Sequence, residues 1–377
     1  MEVSLFHRYV DFIQYAIDPS LDNVPNTDGI DWRRLYMFAE KQAILGVVFE
    51  GVKRLSEQGI KPPFDVLMDW IAIAENIETR NIVIDKRCIE VQKLFAEAGF
   101  ETCILKGQGN ALMYPNPYSR TPGDIDIWVR PKTKGRCKKD DVRRTIEYIK
   151  GINPKGKVCY HHIDYGLYKG TEVEVHFRPS FMFNPIHNHR LQKWFNKMAD
   201  GGWQMAELPD ERGCIPVPSV EFNIIFQLSH IYNHVLHEGI GLRQMIDYYY
   251  VLKKFRDESL EFRDSAKSIE LEETLKYLGL WKFAGAVMYV MREVFALESQ
   301  CMIAPVDEKR GKIILSEILK GGNFGKYDAD NINARNRLKK NLLRVKRDLR
   351  LMRYFPSECL WEPVFRVYHF FWRMRYN

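Results

Sequence analysis

Nowhere does this chain of 377 residues carry an apolar run approaching the roughly 20 residues that a membrane-spanning helix needs; charge breaks even its longest apolar stretches. The opening residues lack the basic-then-apolar order of a secretory signal. The expectation is therefore a cytoplasmic location without a transmembrane segment. Cysteine is sparse and unpatterned: Cys88, Cys103, Cys137, Cys159, Cys214, Cys301 and Cys359 stand singly, odd in total and without a C-x-x-C pair. That spacing argues against a zinc ribbon or a disulfide framework and for reduced thiols. Internal repeats and low-complexity segments are missing too.

What is present is a globular composition, 46% hydrophobic and 28% charged, in a length that suits one large domain or a few modest ones. The net charge of +7 first reads as a nucleic-acid signature. Its location argues otherwise: Arg335 to Arg353 holds nine Lys/Arg and one acid, Asp348, so this stretch carries +8 and leaves −1 for the rest. Leu338, Leu342, Val345, Leu349 and Met352 recur through it at spacings of four and three, the stripe of an amphipathic helix. The leading expectation is a docked helix with a solvated cationic face; a surface for nucleic acid or acidic lipid is the alternative.

Three regions follow from periodicity. Residues 1–99 read as helices, with apolar spacing through Leu5–Ile17, Trp32–Leu55 and Phe64–Ala98. Residues 100–219 change to a strand period at Phe100–Leu105 and Ile125–Val129, then at a hairpin of Cys159–Tyr168 and Thr171–Phe177 turning on Lys169-Gly170. A helix opens between them at Asp140-Asp141. Residues 220–377 return to helices at Val220–His237, Leu242–Phe255 and Leu271–Leu297, followed by the basic helix and an aromatic tail. In that tail Trp361, Phe365, Tyr368, Phe371 and Trp372 are expected to pack against the helical region. The fold class is thus α+β, a sheet core flanked by helical regions on both sides.

The chemistry concentrates in the middle region. On a strand, Asp124 and Asp126 project to one face while Ile125 and Ile127 enter the other. Paired carboxylates repel unless a cation sits between them, which points to a divalent metal, Mg2+ first and Mn2+ as the alternative. In Glu172-Val173-Glu174-Val175-His176, Glu174 is the candidate third acid, central on its face and beside His176. Upstream, Lys106-Gly107-Gln108-Gly109 follows a β-run, and its glycines and lysine suit a phosphate chain.

The run Ile104-Leu105-Lys106-Gly107, then Tyr114-Pro115, then Arg120 through Gly123-Asp124-Ile125-Asp126, then Glu174-Val175-His176, resembles the uncharacterised bacterial nucleotidyltransferase family of the polymerase-β-like superfamily. The resemblance implies a polymerase-β-like mixed sheet core, phosphate contact at Gly107, metal binding at Asp124 and Asp126, and the third carboxylate at Glu174. It also implies a helix closing over the nucleotide site with His234, Arg243 and Asp247 facing it. Gln108 stands where the superfamily has Gly or Ser, and fifteen residues, slightly more than the usual gap, separate it from Asp124. These departures bear on nucleotide choice and on turnover, with Lys106 and Arg120 the compensating triphosphate ligands.

Other candidates have plainer readings. Arg243 and Asp247, four apart, make an ordinary helical ion pair. His230 and His234 share a helix face but lack the following glutamate of a metalloprotease motif. His161 and His162 alternate faces on a strand. The leading function is transfer of a nucleoside monophosphate from a nucleoside triphosphate, ATP by default, to an acceptor hydroxyl that the sequence does not identify. The alternatives are a nucleotide-binding or regulatory protein working through its basic helix on nucleic acid or another acidic partner, and a metal-dependent phosphohydrolase. Oligomeric state is left open.

Overall fold

The computed structural model describes residues 3–132, 140–261, 265–327 and 337–376. Of the positions singled out above, Cys137 and Arg335 lie outside them. The chain opens with helices α1 (Val3–Ile17), α2 (Trp32–Gln42), α3 (Leu45–Glu57) and α4 (Phe64–Glu97). The stretch expected as one helix over Trp32–Leu55 is two, because Ala43 takes a left-handed conformation at φ 57° and closes α2. Asp31 caps α2 by accepting from the Arg34 N–H. Pro63 stands at the N-cap of α4.

The middle region contains β1 (Phe100–Ile104), the short α5 (Gln108–Ala111), β2 (Ile125–Pro131), α6 (Asp141–Ile152), β3 (His162–Tyr168) and β4 (Thr171–His176). Then follow α7 (Pro185–Ala199) and a separate hairpin of β5 (Gln204–Glu207) and β6 (Cys214–Val217), which periodicity did not reveal. The main sheet is mixed, in the order β1-β2-β4-β3. β1 and β3 pair antiparallel with their neighbours, whereas β2 and β4 run parallel at the centre. The expected hairpin forms, turning at Lys169-Gly170 with both residues at positive φ.

The helices α8 (Val220–His237), α9 (Leu242–Glu261), α10 (Ser265–Tyr277), α11 (Trp281–Phe295), α12 (Glu308–Gly321), α13 (Arg337–Met352) and α14 (Pro356–Arg373) complete the described chain. The run expected as one helix over Leu271–Leu297 is broken at Gly279, φ 75°. Apolar side chains of α1, α3, α8, α9 and α11 share one core. The opposite sheet face, with Ile125, Ile127, Val173 and Val175, packs on Cys88, Val91 and Phe95 of α4 and on Ile146 and Ile149 of α6. The fold is thus mostly helical with a small mixed sheet, and no helix among the described residues is long and apolar enough to cross a membrane.

Two expectations for the C-terminal part need correction. Of the α13 stripe, Met352 packs on the core but Leu342, Val345 and Leu349 are exposed, while Asp348 and Leu351 turn inward. In α14, Phe365 and Trp372 pack against Tyr160 and Tyr368 meets the edge of the same ring while half exposed, whereas Trp361 and Phe371 face outward. The physical reason is that α14 packs by its other side, where Glu358 accepts from the Phe183 N–H at 2.6 Å and Cys359 is buried.

Candidate active site

The sheet face turned toward α8 changes chemistry along its length. At one end it is apolar, with Trp128 against Phe195, Trp203 and Phe222. Two residues back along β2 stands Asp126, opposite Glu174 of β4, while His176 is opposite both Trp128 and, on β3, His162. Helix α8 repeats this change. Its i, i+4 stripe runs Phe222, Phe226, His230, His234, so packing of the phenylalanines brings the two histidines over the carboxylates. Ser219 fixes the start of α8 by accepting from the Phe222 N–H.

A cavity of about 930 Å³ opens here, walled by Lys106, Asp124, Glu174, His176, His234 and Arg243 among others. Bonded to two of these wall residues, Asp126 is 2% exposed, and its Oδ1 accepts from Lys106 Nζ at 3.1 Å and His176 Nε2 at 2.9 Å. Burial alone would push the Asp126 carboxyl up, but these two cations outweigh it and hold it well below the carboxylate range. Burial likewise works against the His176 imidazolium, and its bond to Asp126 and the nearby Glu174 carboxylate reverse this, raising it to about 9. Asp124 behaves oppositely: the Asp126 charge and then burial push it up to about 6. Glu174 is lowered despite burial by His176 and His162, whose nitrogens lie 3.7 and 3.6 Å from its Oε2.

Asp126, Glu174 and His176 each offer a ligand atom within 4.8 Å of the others, and two overlapping groups add His161 with His162, and Asp164. These residues fit a divalent ion. One buried acid and two half-buried ones meet one lysine and one imidazolium, and the raised Asp124 carboxyl registers the shortage of positive charge. Asp124 belongs to none of the three close groups; it sits just before β2, on the cavity wall.

Residues 28–284 match the family described as "Uncharacterised nucleotidyltransferase". The chain belongs to that family. Its matched segment contains every residue of the cluster. No curated protein matches. Among solved structures, an antigenic nucleotidyltransferase-like protein from Paracoccidioides brasiliensis shares 12% identity over 62% of this chain and 95% of that one, with a TM-score of 0.31, too distant to add to the assignment.

In this nucleotidyltransferase-family chain the remaining sequence-predicted residues divide. Lys106 lies at the carboxylates, kept charged against its burial by Asp126, Asp124 and Glu174. Gly107 turns the chain at φ 66° and ψ −111°, a conformation closed to other residue types in practice. Gln108 points away: its amide donates to Asp85 of α4, deep beneath the sheet's other face. Arg120 and Asp247 meet each other instead of the open cavity, through Nε–Oδ1 at 2.7 Å and Nη2–Oδ2 at 2.8 Å, both side chains 5% exposed. Tyr114 adds a 2.6 Å bond to the same carboxylate. Asp247, also attracted to Arg243, is thus held by a longer-range clamp, and Arg243 donates to the Thr121 carbonyl at 3.2 Å on the cavity wall.

The segment before Asp124 is held from the other side as well. Asn81 of α4 donates to the Tyr118 and Arg120 carbonyls. Gly46 of α3 lets the backbone approach so closely that a Cβ there would stand 2.3 Å from the Ser119 carbonyl oxygen. Three histidines that the sequence offered only as secondary candidates also reach the site. His230 Nε2 lies 3.2 Å from Lys106 Nζ and 3.0 Å from His234 Nε2, and His161 Nε2 lies 3.1 Å from His162 Nδ1. Burial pushes His230 and His161 well below the usual histidine range, so both are neutral beside Lys106. The Phe-Phe-His-His stripe of α8 was the signal that could have found His230.

Proposed function

We propose that this chain is a Mg2+-dependent nucleotidyltransferase built on a polymerase-β-like core, passing a nucleoside monophosphate from a nucleoside triphosphate such as ATP to an acceptor hydroxyl. The observation that carries this reading is the meeting of Asp126, Glu174 and His176 within ligand distance, beside Lys106 and under Asp124, in a cavity large enough for a nucleotide. Asp124, Asp126 and Glu174 would hold the ion, Mg2+ or alternatively Mn2+, which supplies charge neutralisation along the triphosphate.

In this scheme Lys106 leaves its contact with Asp126 to neutralise phosphate oxygens, and His230, held neutral, accepts from it without competing for its charge. The acceptor oxygen forms a bond to the α-phosphorus as the bond to the bridging oxygen of pyrophosphate breaks, and the acceptor proton passes to Glu174. Arg243 and His234 line the nucleotide's path. Arg120, taken up by Asp247, holds the Thr121–Asp124 turn in place. Rate acceleration then rests on positioning and charge stabilisation.

Asp124→Asn with Asp126→Asn abolishes Mg2+-dependent nucleotide binding while the circular dichroism spectrum keeps its shape; the thermal transition falls, because Lys106 and the buried His176 lose their partner, and undiminished binding by calorimetry overturns the metal assignment. Nucleotide binding by the wild-type chain without transfer to any acceptor in a cell extract would favour the regulatory reading instead.

A further inference from the structure

The C-terminal helices α13 and α14 sort their side chains by sign. Their three acids, Asp348, Glu358 and Glu362, are all turned inward, at 4%, 2% and 2% exposure. Glu362 is paired with Arg366 at 2.6 Å, and Glu358 with backbone N–H groups of Phe183 and Asn184. The cations Lys346, Arg353, Arg373 and Arg375 point outward. What these helices show to solvent is therefore cationic or apolar, with no acid among the described residues.

The apolar part is extensive. On α14, Leu360, Val364, Val367, Phe371 and Met374 recur at spacings of four and three, and all are exposed, Val367 by 60% and Phe371 by 62%. Trp361, Tyr368 and Phe370 widen the stripe on both sides and are exposed as well. On α13, Leu342, Val345 and Leu349 form a second stripe, with Lys346 and Arg353 on its border. An exposed apolar face of this extent marks an interaction site on a folded protein. Both helices lie beyond the segment that matches the family, residues 28–284.

We propose that α13 and α14 form a docking surface for an anionic phospholipid membrane. An aromatic-rich apolar face rimmed by lysine and arginine is the pattern of helices that lie in the plane of a bilayer interface, where acyl chains take the apolar stripe and lipid phosphates take the cations. Tyr368 and Trp361 suit the headgroup level. A second copy of this chain fits less well, because it would bring cation against cation with every acid of these helices already buried. Nucleic acid would answer the cations but leave the stripe in water. Helix α13 packs on α8, which carries the wall residues His230 and His234, so docking leaves the cavity one helix away from the membrane. The proposal does not depend on the nucleotidyl-transfer reading.

The test is flotation of the full chain with phosphatidylglycerol–phosphatidylcholine vesicles and with pure phosphatidylcholine vesicles, at low and high salt. The chain floats with the anionic vesicles and much less with the neutral ones, and salt weakens the association. Val367→Glu with Phe371→Glu, and separately Lys346→Glu with Arg353→Glu, each lower the partition coefficient on the order of tenfold or more. All four positions are exposed, so the thermal transition is unchanged. Equal flotation of wild type and both variants overturns the proposal. So does a wild-type dimer by light scattering that Phe371→Glu dissolves, or retention of an oligonucleotide in preference to anionic vesicles.

Discussion

Replacing Asp247 by Asn keeps the shape of the clamp and removes its charge. Both side chains are 5% exposed, and the carboxylate receives two guanidinium bonds of 2.7 and 2.8 Å and a tyrosine bond of 2.6 Å. Asparagine has one acceptor oxygen, so one guanidinium bond is lost and an amide N–H₂ is pressed against an N–H donor. Arg120 is then a buried cation without its partner. Such a loss costs about 3–5 kcal/mol, against about 0–1 for a surface pair. Arg120→Met strands the carboxylate with Tyr114 alone and costs a similar amount. Arg120→Met with Asp247→Asn removes both charges, so it costs less than the sum of the singles by roughly 2 kcal/mol or more. Urea unfolding of the four chains measures this coupling, and calorimetry with nucleotide follows the site. Two results would refute the reasoning. One is a single substitution costing under about 1 kcal/mol. The other is Arg120→Met losing nucleotide affinity at unchanged stability, which would make Arg120 the phosphate ligand that its sequence position suggested.

Gly107→Ala forces a side chain into φ 66°, ψ −111°, at a cost of about 1–3 kcal/mol. Differential scanning calorimetry reads the lowered transition, and nucleotide affinity falls with it because the turn no longer aims Lys106 at the phosphate path. Asp348 supplies a pH test at a residue that does not line the cavity. Burial and then the neighbouring Glu362 push its carboxyl from 3.8 up to about 7. Between those values the folded chain holds a proton that the unfolded chain has released, so stability falls as pH rises from about 4 to about 7. Asp348→Asn removes that slope, raising the transition temperature at pH 8 and changing it little near pH 4; a parallel shift at all pH values would refute the assignment.

How much of this was legible in the sequence depends on the range of each interaction. The alternation Glu-Val-Glu-Val-His placed Glu174 and His176 on one face of β4 and Val173 and Val175 on the other, and the structure puts the two valines in the core. Pairing of Asp126 opposite Glu174 needs only that β2 and β4 be neighbours, a short step from seeing both strands. What resisted reading was set across the chain. Arg120 and Asp247 stand 127 residues apart, so local spacing paired Asp247 with Arg243 instead. The outward turn of the α13 stripe was equally hidden. Periodicity identifies an apolar face, and the ordinary inference is that such a face is buried; here Asp348 and Leu351 carry the inward packing from the other side.

Gln108 shows the same limit from the opposite direction. As a string of letters it is a departure at the phosphate-binding turn and bears on turnover. In the fold its side chain belongs to α4, donating to Asp85, whose carboxyl burial pushes up. The residue's identity thus answers a buried acid on one side of the sheet, whereas the cavity on the other side meets Lys106 and Asp124. A motif residue chosen for its contact behind the sheet leaves the front of the sheet free to keep its chemistry, and the departure at position 108 then says nothing against nucleotidyl transfer.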